Sequence, residues 1–365
     1  MDHILSNDQQ NDWQVDPYLH VEADNFYNPL TDQRLRKGES AYQILRNLYE
    51  RKVTLNRVSQ VDKDFLVQQG WLVPTHVDLD GRFRLKYVSL EAHSVCNQAC
   101  YFCPVSVDPR RHVFMPLELY ERIALQLAAY KDTLEAVFMN NYNEPTIDKH
   151  FVRQVEILRS YGLVPAVLTN GSGLTPKRID TIIAMGGLGY LSVNLSTLNQ
   201  QHYRNERGKD HLNLVLRHLD YIKDLPVAPI MKIVVLGRGD EQHRADHQEI
   251  KARFAGSRFQ IERFKANDRA HYLTLEMERI PSHTTLRGCE QMGSRPLQHL
   301  HITAQGTCVL CCQDYGEQYG VGDLTRQTVA EVLTGPELAR YRRWSYGLEN
   351  APDNFICRKC IFVRT

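Results

Sequence analysis

The chain has 365 residues, of which 42% are hydrophobic, and its 44 lysines and arginines almost equal its 43 aspartates and glutamates, leaving a formal net charge of +1. This length accommodates two or three domains, and the balanced charge indicates neither a nucleic-acid-binding surface nor an acidic tail. The polar segment 1–11 lacks the apolar stretch of a signal peptide, and no run of about 18 apolar residues occurs, so we expect a cytoplasmic protein without a membrane partner.

Residues 1–86 have a pattern of their own. Turn-forming residues at 28–32 predict one β-hairpin, and the turn Asp78–Gly81, bracketed by the segments Trp71–Val73 and Arg82–Lys86, predicts a second. The predicted elements are the hairpin Asn25–Leu35, the helices Ala41–Glu50 and Lys63–Gln69, and the hairpin strands Trp71–Val73 and Arg82–Lys86. Together they indicate a small winged-helix-like α+β domain.

From residue 87 to residue 285, short apolar stretches alternate with amphipathic helices, which is typical of a parallel β/α sheet or barrel. The predicted strands are Tyr87–Glu91, Ala136–Met139, Ala166–Thr169, Leu191–Leu195, Ile230–Leu236 and Arg258–Phe264. The predicted helices are Leu117–Ala129, Lys149–Tyr161, Pro176–Met185 and Leu212–Asp224. The sequence therefore predicts a partial, open (β/α)6 barrel, with its chemistry at the carboxyl ends of the strands.

The nine cysteines fall into two groups, which argues against a disulfide framework and for a reducing compartment. The first group is Cys96-x3-Cys100-x2-Cys103. Because an iron–sulfur cluster is normally held by four thiolates, three closely spaced cysteines leave one iron open to a non-protein ligand. A zinc site is the alternative, but zinc sites usually pair CxxC with a second CxxC or with histidines.

The loop Cys96–Cys103, CNQACYFC, resembles the signature of the radical S-adenosylmethionine (radical SAM) enzymes. This resemblance implies a [4Fe-4S] cluster whose open iron is chelated by S-adenosyl-L-methionine. Reductive cleavage of that cofactor then gives a 5′-deoxyadenosyl radical, which removes a hydrogen atom from a substrate. The resemblance also implies that the ring of Phe102 lies against the adenine, and that a flavodoxin- or ferredoxin-type protein donates the electron.

Polar residues follow the predicted strands, where a parallel barrel collects its chemistry. The stretch 141–145 resembles the Gly-Glu-Pro type motif of the family, which implies that Glu144 binds the methionine ammonium. The resemblance further implies cofactor contacts by Asn143, by Asn170 at the ribose, by Asn194 and Ser196 at the ribose or carboxylate, and by Val235 at the adenine. Taken singly, each is better explained as a turn or cap residue; their repetition at successive strand ends is the stronger signal.

Two further segments, Arg207-Gly208 and Asn267–Arg269, also resemble segments of the family. A solvated loop charge is the equal alternative for both.

The second cysteine group lies in residues 286–365 and contains Cys289, Cys308, Cys311, Cys312, Cys357 and Cys360. Its spacing resembles twitch, the shortened form of the SPASM auxiliary-cluster domain. This implies a second [4Fe-4S] cluster, bound by Cys289, Cys311, Cys357 and Cys360. The register stays open, since Cys308 or Cys312 can replace Cys311, and a four-cysteine zinc site is the alternative. A spare thiol can return a hydrogen atom to a substrate radical, and we expect Cys312 to do so.

Residues 1–86 resemble, in layout, the peptide-recognition domain of peptide-modifying radical SAM enzymes, with a cap over the barrel as the equal alternative. The resemblance implies a peptide or small natural-product substrate and no nucleic-acid partner. We expect oxidation or cross-linking with the auxiliary cluster as electron acceptor, or epimerisation through Cys312. An iron–sulfur electron-transfer or binding protein is the alternative of another class. Histidines such as His299 and His301 show no metal-ligand spacing and are expected at the surface or satisfied in the interior.

Overall fold

The computed structural model describes residues 12–275 and 280–365, so the segment 1–11, expected not to be a signal peptide, lies outside the described residues. The N-terminal part contains β1 (Trp13–Val15), β2 (His20–Val21), β3 (Asn25–Asn28), β4 (Gln33–Arg36), α1 (Ser40–Tyr49), α2 (Gln60–Gln68) and β5 (Leu72–Pro74). Strands β2, β3 and β4 form one antiparallel sheet, and β1 pairs with β5. Phe26, Leu45, Leu66 and Trp71 are buried between these elements.

The first hairpin and both helices predicted for this part are confirmed, whereas the second hairpin is wrong. The strand predicted at 71–73 exists as β5, but its partner is β1. Arg82–Lys86 is not a strand, and its Lys86 N–H donates to the carbonyl of Gln298 at 2.9 Å. A turn signal specifies that the chain reverses, but it does not specify which segment supplies the hydrogen-bonding partner.

Six parallel strands with helices between them follow, as the sequence predicts. The strands are β6 (Tyr87–Leu90), β7 (Ala136–Phe138), β8 (Pro165–Thr169), β9 (Tyr190–Asn194), β10 (Ile230–Gly237) and β11 (Phe259–Lys265). The helices are α3 (Leu117–Leu127), α4 (Phe151–Ser160), α5 (Pro176–Ala184), α6 (Gln200–Arg207), α7 (Leu212–Ile222) and α8 (Glu241–Arg253). The strands pair in chain order, each parallel to the next. The predicted α/β fold class is confirmed.

Helices α6 and α8 are strongly polar, and the apolar periodicity of the sequence does not indicate them. Their buried residues are Tyr203 and Arg207 in α6, and His243, Asp246 and Ile250 in α8. Local capping starts both helices: the Asn199 side chain accepts from the His202 N–H, and the Asp240 side chain from the His243 N–H, each at 2.9 Å. Capping and tertiary contacts therefore define these helices.

Side chains alternate between the two faces of the strands. The outer face packs against the helices through residues that include Val88, Val137, Leu191 and Ile233. On the inner face, the ring centre of Phe138 lies 6.2 Å from those of Tyr87 and Tyr190. Phe138 on β7 thus contacts a ring from β9, two strands away, which requires the sheet to curve around its inner face.

The C-terminal part continues the same sheet. Its elements are α9 (Arg295–Gln298), β12 (His299–Ile302), β13 (Thr307–Val309), β14 (Gly320–Asp323), α10 (Val329–Leu333) and α11 (Pro336–Ser345). Strand β12 pairs parallel with β6, and β13 and β14 follow as antiparallel neighbours, so nine strands form one sheet. Within residues 12–275 and 280–365, no helix has the length and apolar character needed to cross a membrane.

Candidate functional site

The first cysteine group lies in the loop after β6, at the carboxyl ends of the parallel strands. The end of α6 holds this loop: the Ala99 N–H donates to the Arg207 carbonyl at 2.9 Å, and the Tyr101 N–H donates to the Glu206 carbonyl at 3.1 Å. Gly208 caps α6 at a φ of 65° and lies so close that a Cβ atom there would be 3.1 Å from the Cβ of Ala99. Glycine suits this position for both reasons.

Cys96, Cys100 and Cys103 come within electrostatic range of one another in this loop. Burial raises the pKa of the Cys96 thiol to about 12 and that of the Cys103 thiol to about 11. Without a metal these two thiols stay protonated at neutral pH, because each lies in a weakly solvated environment. Binding of a cluster therefore has to release their protons.

Arg207 connects the loop to β9 and to the residue that follows it. Its guanidinium donates to Asn194 Oδ1 at 2.8 Å and to Ser196 Oγ at 2.6 Å, and lies 3.6 Å from the Cys100 sulfur. The same group is 5.0 Å from the ring centre of Phe102, within cation–π distance. Arg207 is 1% exposed, which rules out a solvated loop charge. It brings together four residues that the sequence predicts in the cluster and cofactor site.

The contact predicted for Val235 is wrong. This side chain is fully buried in the main core on the outer face of β10, together with Ile233. Neighbouring side chains of a strand point to opposite faces. Leu236 is therefore the residue on the site side, where it packs against the small cluster of Cys100 and Phe102. An offset of one residue along a strand reverses the face.

Glu144 lies at the centre of a buried hydrogen-bond network between β7 and β8. Its Oε1 accepts from the Thr146 N–H and hydroxyl and from the Thr169 hydroxyl, at 2.5–3.0 Å, and its Oε2 accepts from the Asn170 N–H at 2.6 Å. Burial raises the pKa of the Glu144 carboxyl, and these donors oppose the shift. Each carboxylate oxygen has about two acceptor positions, so Oε2, which accepts one of these bonds, keeps one position for a ligand. Nearby, Nδ2 of Asn143 is buried without a partner in the described part of the chain.

The Asn170 side chain helps to hold the cysteine loop. Its Nδ2 donates to Asn97 Oδ1 at 2.8 Å, and its Oδ1 accepts from the Ser172 N–H at 2.9 Å. Asn97 in turn donates to the Ser172 hydroxyl at 2.9 Å. Asn170 therefore positions the loop, and the ribose contact stays a prediction.

Four of the C-terminal cysteines line one cavity: Cys289, Cys311, Cys357 and Cys360. They are the four that the twitch resemblance assigns to an auxiliary cluster. The rest of the wall includes the apolar side chains of Leu310, Ile356 and Val363 and the polar residues Arg295 and Gln313. Among the residues the structure describes, no three His, Cys, Asp or Glu side chains surround one point closely enough to hold a single metal ion.

The two remaining cysteines have different surroundings. Cys308 on β13 is fully buried in the main core, and burial raises the pKa of its thiol far above the ordinary value. It is an apolar core residue, so the suggestion that Cys308 replaces Cys311 is wrong. The neighbouring Cys311 thiol lowers the pKa of Cys312, burial opposes this shift, and the charge of Arg295 lowers the pKa further.

Tyr142 occupies the space between the two cysteine groups. Its hydroxyl donates to the Cys312 carbonyl, and its ring centre lies 4.7 Å from that of Tyr315. Its phenol is within electrostatic range of both Cys103 and Cys312. Any molecule that contacts Tyr142 therefore lies near both groups.

Arg269 lies against Tyr142, with its guanidinium carbon 5.8 Å from the ring centre. Its Nε is buried without a hydrogen-bond partner in the described part of the chain. Arg269, Ala270 and His271 have φ values of 54°, 55° and 68°, three successive non-glycine residues in the left-handed region. Such backbone costs free energy and is concentrated at functional sites. The sequence alone does not distinguish whether Arg269 is a solvated loop charge or a residue of the site. In the structure, Arg269 faces the space between the two cysteine groups.

A stacked pair of histidines lies on β12. The ring centres of His299 and His301 are 3.9 Å apart. Nε2 of His299 hydrogen-bonds to the Ser89 hydroxyl at 3.1 Å, whereas neither ring nitrogen of His301 has a partner in the described chain. Burial lowers the pKa of His301 to about 4, so its ring is neutral at pH 7. The expectation of a satisfied interior residue is wrong for His301; two histidines at i and i+2 on one strand face are the signal for the pair.

Two sequence families match the chain. The Radical SAM superfamily matches residues 90–249, and the iron-sulfur cluster-binding domain SPASM matches residues 289–361. The first range contains Cys96, Cys100 and Cys103, and the second contains Cys289, Cys311, Cys357 and Cys360. The chain contains a radical SAM domain. A SPASM domain, which is an iron-sulfur cluster-binding domain, follows this radical SAM domain in the chain.

A curated relative matches part of this radical SAM chain. The S-adenosyl-L-methionine-dependent 2-deoxy-scyllo-inosamine dehydrogenase of Niallia circulans is 31% identical over 102 residues, which are 27% of this chain and 40% of the relative. The chain thus matches less than half the length of that relative.

Solved structures share the fold of this chain. Streptococcus suis SuiB bound to the precursor peptide SuiA has a TM-score of 0.59 at 10% identity, over 95% of this chain and 93% of SuiB. The enzyme anSMEcpe with bound AdoMet has a TM-score of 0.52 at 13% identity, over 76% of this chain and 86% of that chain. At these identities the likeness concerns the fold alone.

The residues at both sites fit the groups that the radical SAM family implies. Around the first cysteine group, buried polar atoms without partners in the described chain are available to a polar cofactor: Asn140 Oδ1, Asn141 Oδ1, Asn143 Nδ2 and Arg207 Nε. A four-iron cluster held by the three thiols of the first loop would keep one iron open, and the four thiols around the second cavity equal the usual number of protein ligands of such a cluster.

Proposed function

We propose that this chain is a radical SAM oxidoreductase that removes a hydrogen atom from a peptide or small natural-product substrate and passes the remaining electron to an auxiliary cluster. S-adenosylmethionine supplies a 5′-deoxyadenosyl radical on one-electron reduction, with a flavodoxin- or ferredoxin-type protein as donor. The arrangement of the cysteines carries the proposal: three lie at the carboxyl ends of the barrel strands, and four line a cavity next to the continuation of the same sheet.

In this proposal, different residues of the first site bind different parts of the cofactor. Glu144 binds the methionine ammonium through Oε2, the oxygen with an acceptor position left over. Arg207 binds the carboxylate, because its guanidinium lies 3.6 Å from the Cys100 sulfur and its Nε has no partner in the described chain. Asn194 and Ser196 hold Arg207 in place, and Phe102 and Leu236 supply an apolar surface for the adenine.

The substrate lies between the two cysteine groups, beside Tyr142 and Arg269. Both side chains are within electrostatic range of Cys103 in the first group and Cys312 in the second. A substrate held there can lose a hydrogen atom at the first site and an electron to the second. SuiB, solved with a precursor peptide, and the dehydrogenase of N. circulans support a peptide or a small natural product as the substrate class.

A second outcome is favoured by the position of Cys312. Its thiol contacts Cys311 at the auxiliary cavity, and its carbonyl accepts from the Tyr142 hydroxyl beside the substrate space. If Cys312 returns a hydrogen atom to the substrate radical, the product is an epimer and not an oxidised molecule. The two outcomes differ in whether a hydrogen from solvent enters the product.

Anaerobic reconstitution tests the proposal. The protein should bind about eight iron and eight sulfide, enough for two four-iron clusters. Replacing Cys96, Cys100 and Cys103 together with alanine should halve the iron and abolish formation of 5′-deoxyadenosine. The matched control is Cys308→Ala, which removes a core thiol and should keep the full iron content. Stoichiometric zinc with only four irons would contradict the auxiliary cluster, and cofactor cleavage by the triple variant would contradict the first site.

A further inference from the structure

Arg295 begins α9 and lies in the wall of the cavity formed by the four C-terminal cysteines. One terminal nitrogen of its guanidinium donates to the Cys311 sulfur at 3.6 Å. The Nε atom is buried and has no hydrogen-bond partner within the described ranges. The ring centre of Phe362 lies 5.8 Å from the guanidinium carbon. The side chain is therefore held at the cavity by a sulfur and an aromatic ring.

The charge of Arg295 has no carboxylate partner among the described residues, which is unusual for a guanidinium away from solvent. By comparison, the guanidinium of Arg110 is paired with the Glu91 carboxylate at 3.3 Å and with the Glu317 carboxylate at 3.4 Å. Arg295 instead lines the same cavity as Cys289, Cys311, Cys357 and Cys360 and donates to the Cys311 sulfur. A cluster bound by these thiolates would supply the counter-charge of Arg295.

Two further donors are directed at the same set of sulfurs. The Gln313 N–H donates to the Cys311 sulfur at 3.5 Å, and the Ser345 hydroxyl contacts the Cys357 sulfur at 3.6 Å. Net charge and hydrogen bonds to the sulfurs are among the factors that set the reduction potential of an iron–sulfur cluster. Gln313 and Ser345 supply neutral donors, whereas Arg295 supplies a full positive charge.

We propose that Arg295 raises the reduction potential of the auxiliary cluster by holding a fixed positive charge against its Cys311 ligand. One-electron reduction adds one negative charge to the group in the cavity, and a nearby cation stabilises the reduced form more than the oxidised form. The inference rests on the proposed function, since it requires a cluster bound by these four cysteines. Arg295 acts through the cluster and is a positioning residue; its effect makes the cluster a better electron acceptor.

The measurement uses a protein that binds only the auxiliary cluster, the triple alanine variant at 96, 100 and 103, reconstituted and reduced stepwise with dithionite. Electron paramagnetic resonance follows the reduced cluster. At a fixed potential, Arg295→Gln should lower the ratio of reduced to oxidised cluster about tenfold, which corresponds to about 59 mV for a one-electron couple. Arg295→Lys keeps the charge and should restore most of the ratio. Arg326→Gln, the matched control, removes an arginine that is 86% exposed on the same C-terminal segment and should leave the ratio unchanged.

An unchanged ratio in Arg295→Gln, with four irons retained, would overturn the inference. Loss of iron from both Arg295 variants would also overturn it, because Arg295 would then be needed for assembly and not for the potential. Absence of iron from the triple alanine variant itself would refute the auxiliary cluster, and with it the role of Arg295. That outcome appears in the iron content and is thus distinct from an unchanged potential.

Discussion

In the proposed function, the reaction outcome depends on Cys312. This residue follows Cys311, which lines the auxiliary cavity, and its carbonyl accepts from Tyr142 beside the proposed substrate space. His301 and Arg269 are within electrostatic range of the Cys312 thiol. This position next to both Tyr142 and Cys311 is the basis for proposing Cys312 as the hydrogen donor.

We predict that Cys312→Ala keeps both clusters and still forms 5′-deoxyadenosine. If Cys312 is the hydrogen donor, this variant loses epimerised product, and the wild-type reaction in deuterium oxide places one deuterium at the inverted carbon, because a thiol exchanges with solvent. If the auxiliary cluster accepts the electron, the product is instead lighter by two hydrogens and carries no solvent deuterium at that carbon. Mass spectrometry of the product distinguishes the two, with Cys308→Ala as the control. Loss of the auxiliary cluster in Cys312→Ala would mean that Cys312, and not Cys311, binds iron.

At the residue scale, the sequence is informative where chemistry fixes the residue type. Cysteine spacing indicates both clusters, because thiolates are the usual ligands of iron–sulfur clusters. It fails where only the fold decides where a side chain points, as with Val235, which lies one position from the residue on the site side. The sequence also fails to predict the roles of the arginines. Arg207, Arg269 and Arg295 lie in polar loops or at helix ends, where the sequence alone does not distinguish a buried cation from a solvated one.

Among the secondary-structure elements, α6 has the most direct effect on the first site. Its last residues accept hydrogen bonds from Ala99 and Tyr101, and its Arg207 contacts Cys100. The sequence does not predict this helix, because its eight residues are nearly all polar. Strands and apolar helices of the barrel are predicted well, since burial on one or both faces imposes a period on the sequence.

We predict that Gly208→Ala impairs the first cluster through this helix end. A non-glycine residue in the left-handed region costs about 1–2 kcal/mol, and the new methyl group would also lie 3.1 Å from the Cβ and 3.3 Å from the carbonyl oxygen of Ala99. The loop must shift, so iron at the first site and 5′-deoxyadenosine formation should both fall. Gly256→Ala is the matched control, since Gly256 has a φ of 78° with nothing within 4 Å of the added Cβ. Urea unfolding should show similar losses of stability in both variants, but only Gly208→Ala should lose cofactor cleavage; equal activity in the two would contradict the role assigned to α6.

At the scale of the whole molecule, residues of the N-terminal part pack against residues of the C-terminal part. Nε2 of His20 hydrogen-bonds to the Tyr346 hydroxyl at 2.8 Å, and the Arg364 side chain donates to the Val21 carbonyl at 3.0 Å. The Gln298 amide donates to the Pro29 carbonyl at 2.6 Å. These contacts join residues 269 to 343 positions apart in the sequence, and local patterns carry no information about them. Local patterns therefore predict the first hairpin and both helices of the N-terminal part, but not the segment against which this part packs.

The contact of His20 gives the molecule a specific dependence of stability on pH. Burial, followed by the charges of Arg364 and Arg34, lowers the pKa of His20 from 6.5 to about 3 in the folded protein. Between these two values the unfolded chain binds more protons than the folded one, so stability rises with pH. The folded state is therefore unaffected by His20 above about pH 6.5 and is progressively destabilised as the pH falls towards 3.

We predict that between pH 7 and pH 5 the wild type loses about 2 kcal/mol more free energy of unfolding than His20→Gln, since each pH unit below 6.5 contributes about 1.4 kcal/mol. Glutamine retains a side-chain donor and acceptor for Tyr346 but does not titrate. Urea unfolding of both proteins at each pH measures the difference, and the comparison cancels the contributions of the other buried histidines and of any acid loss of the clusters. His76→Gln, at an exposed position, should follow the wild type. Parallel pH dependences in the wild type and His20→Gln would mean that His20 becomes protonated in the folded protein without disrupting the contact between the chain ends.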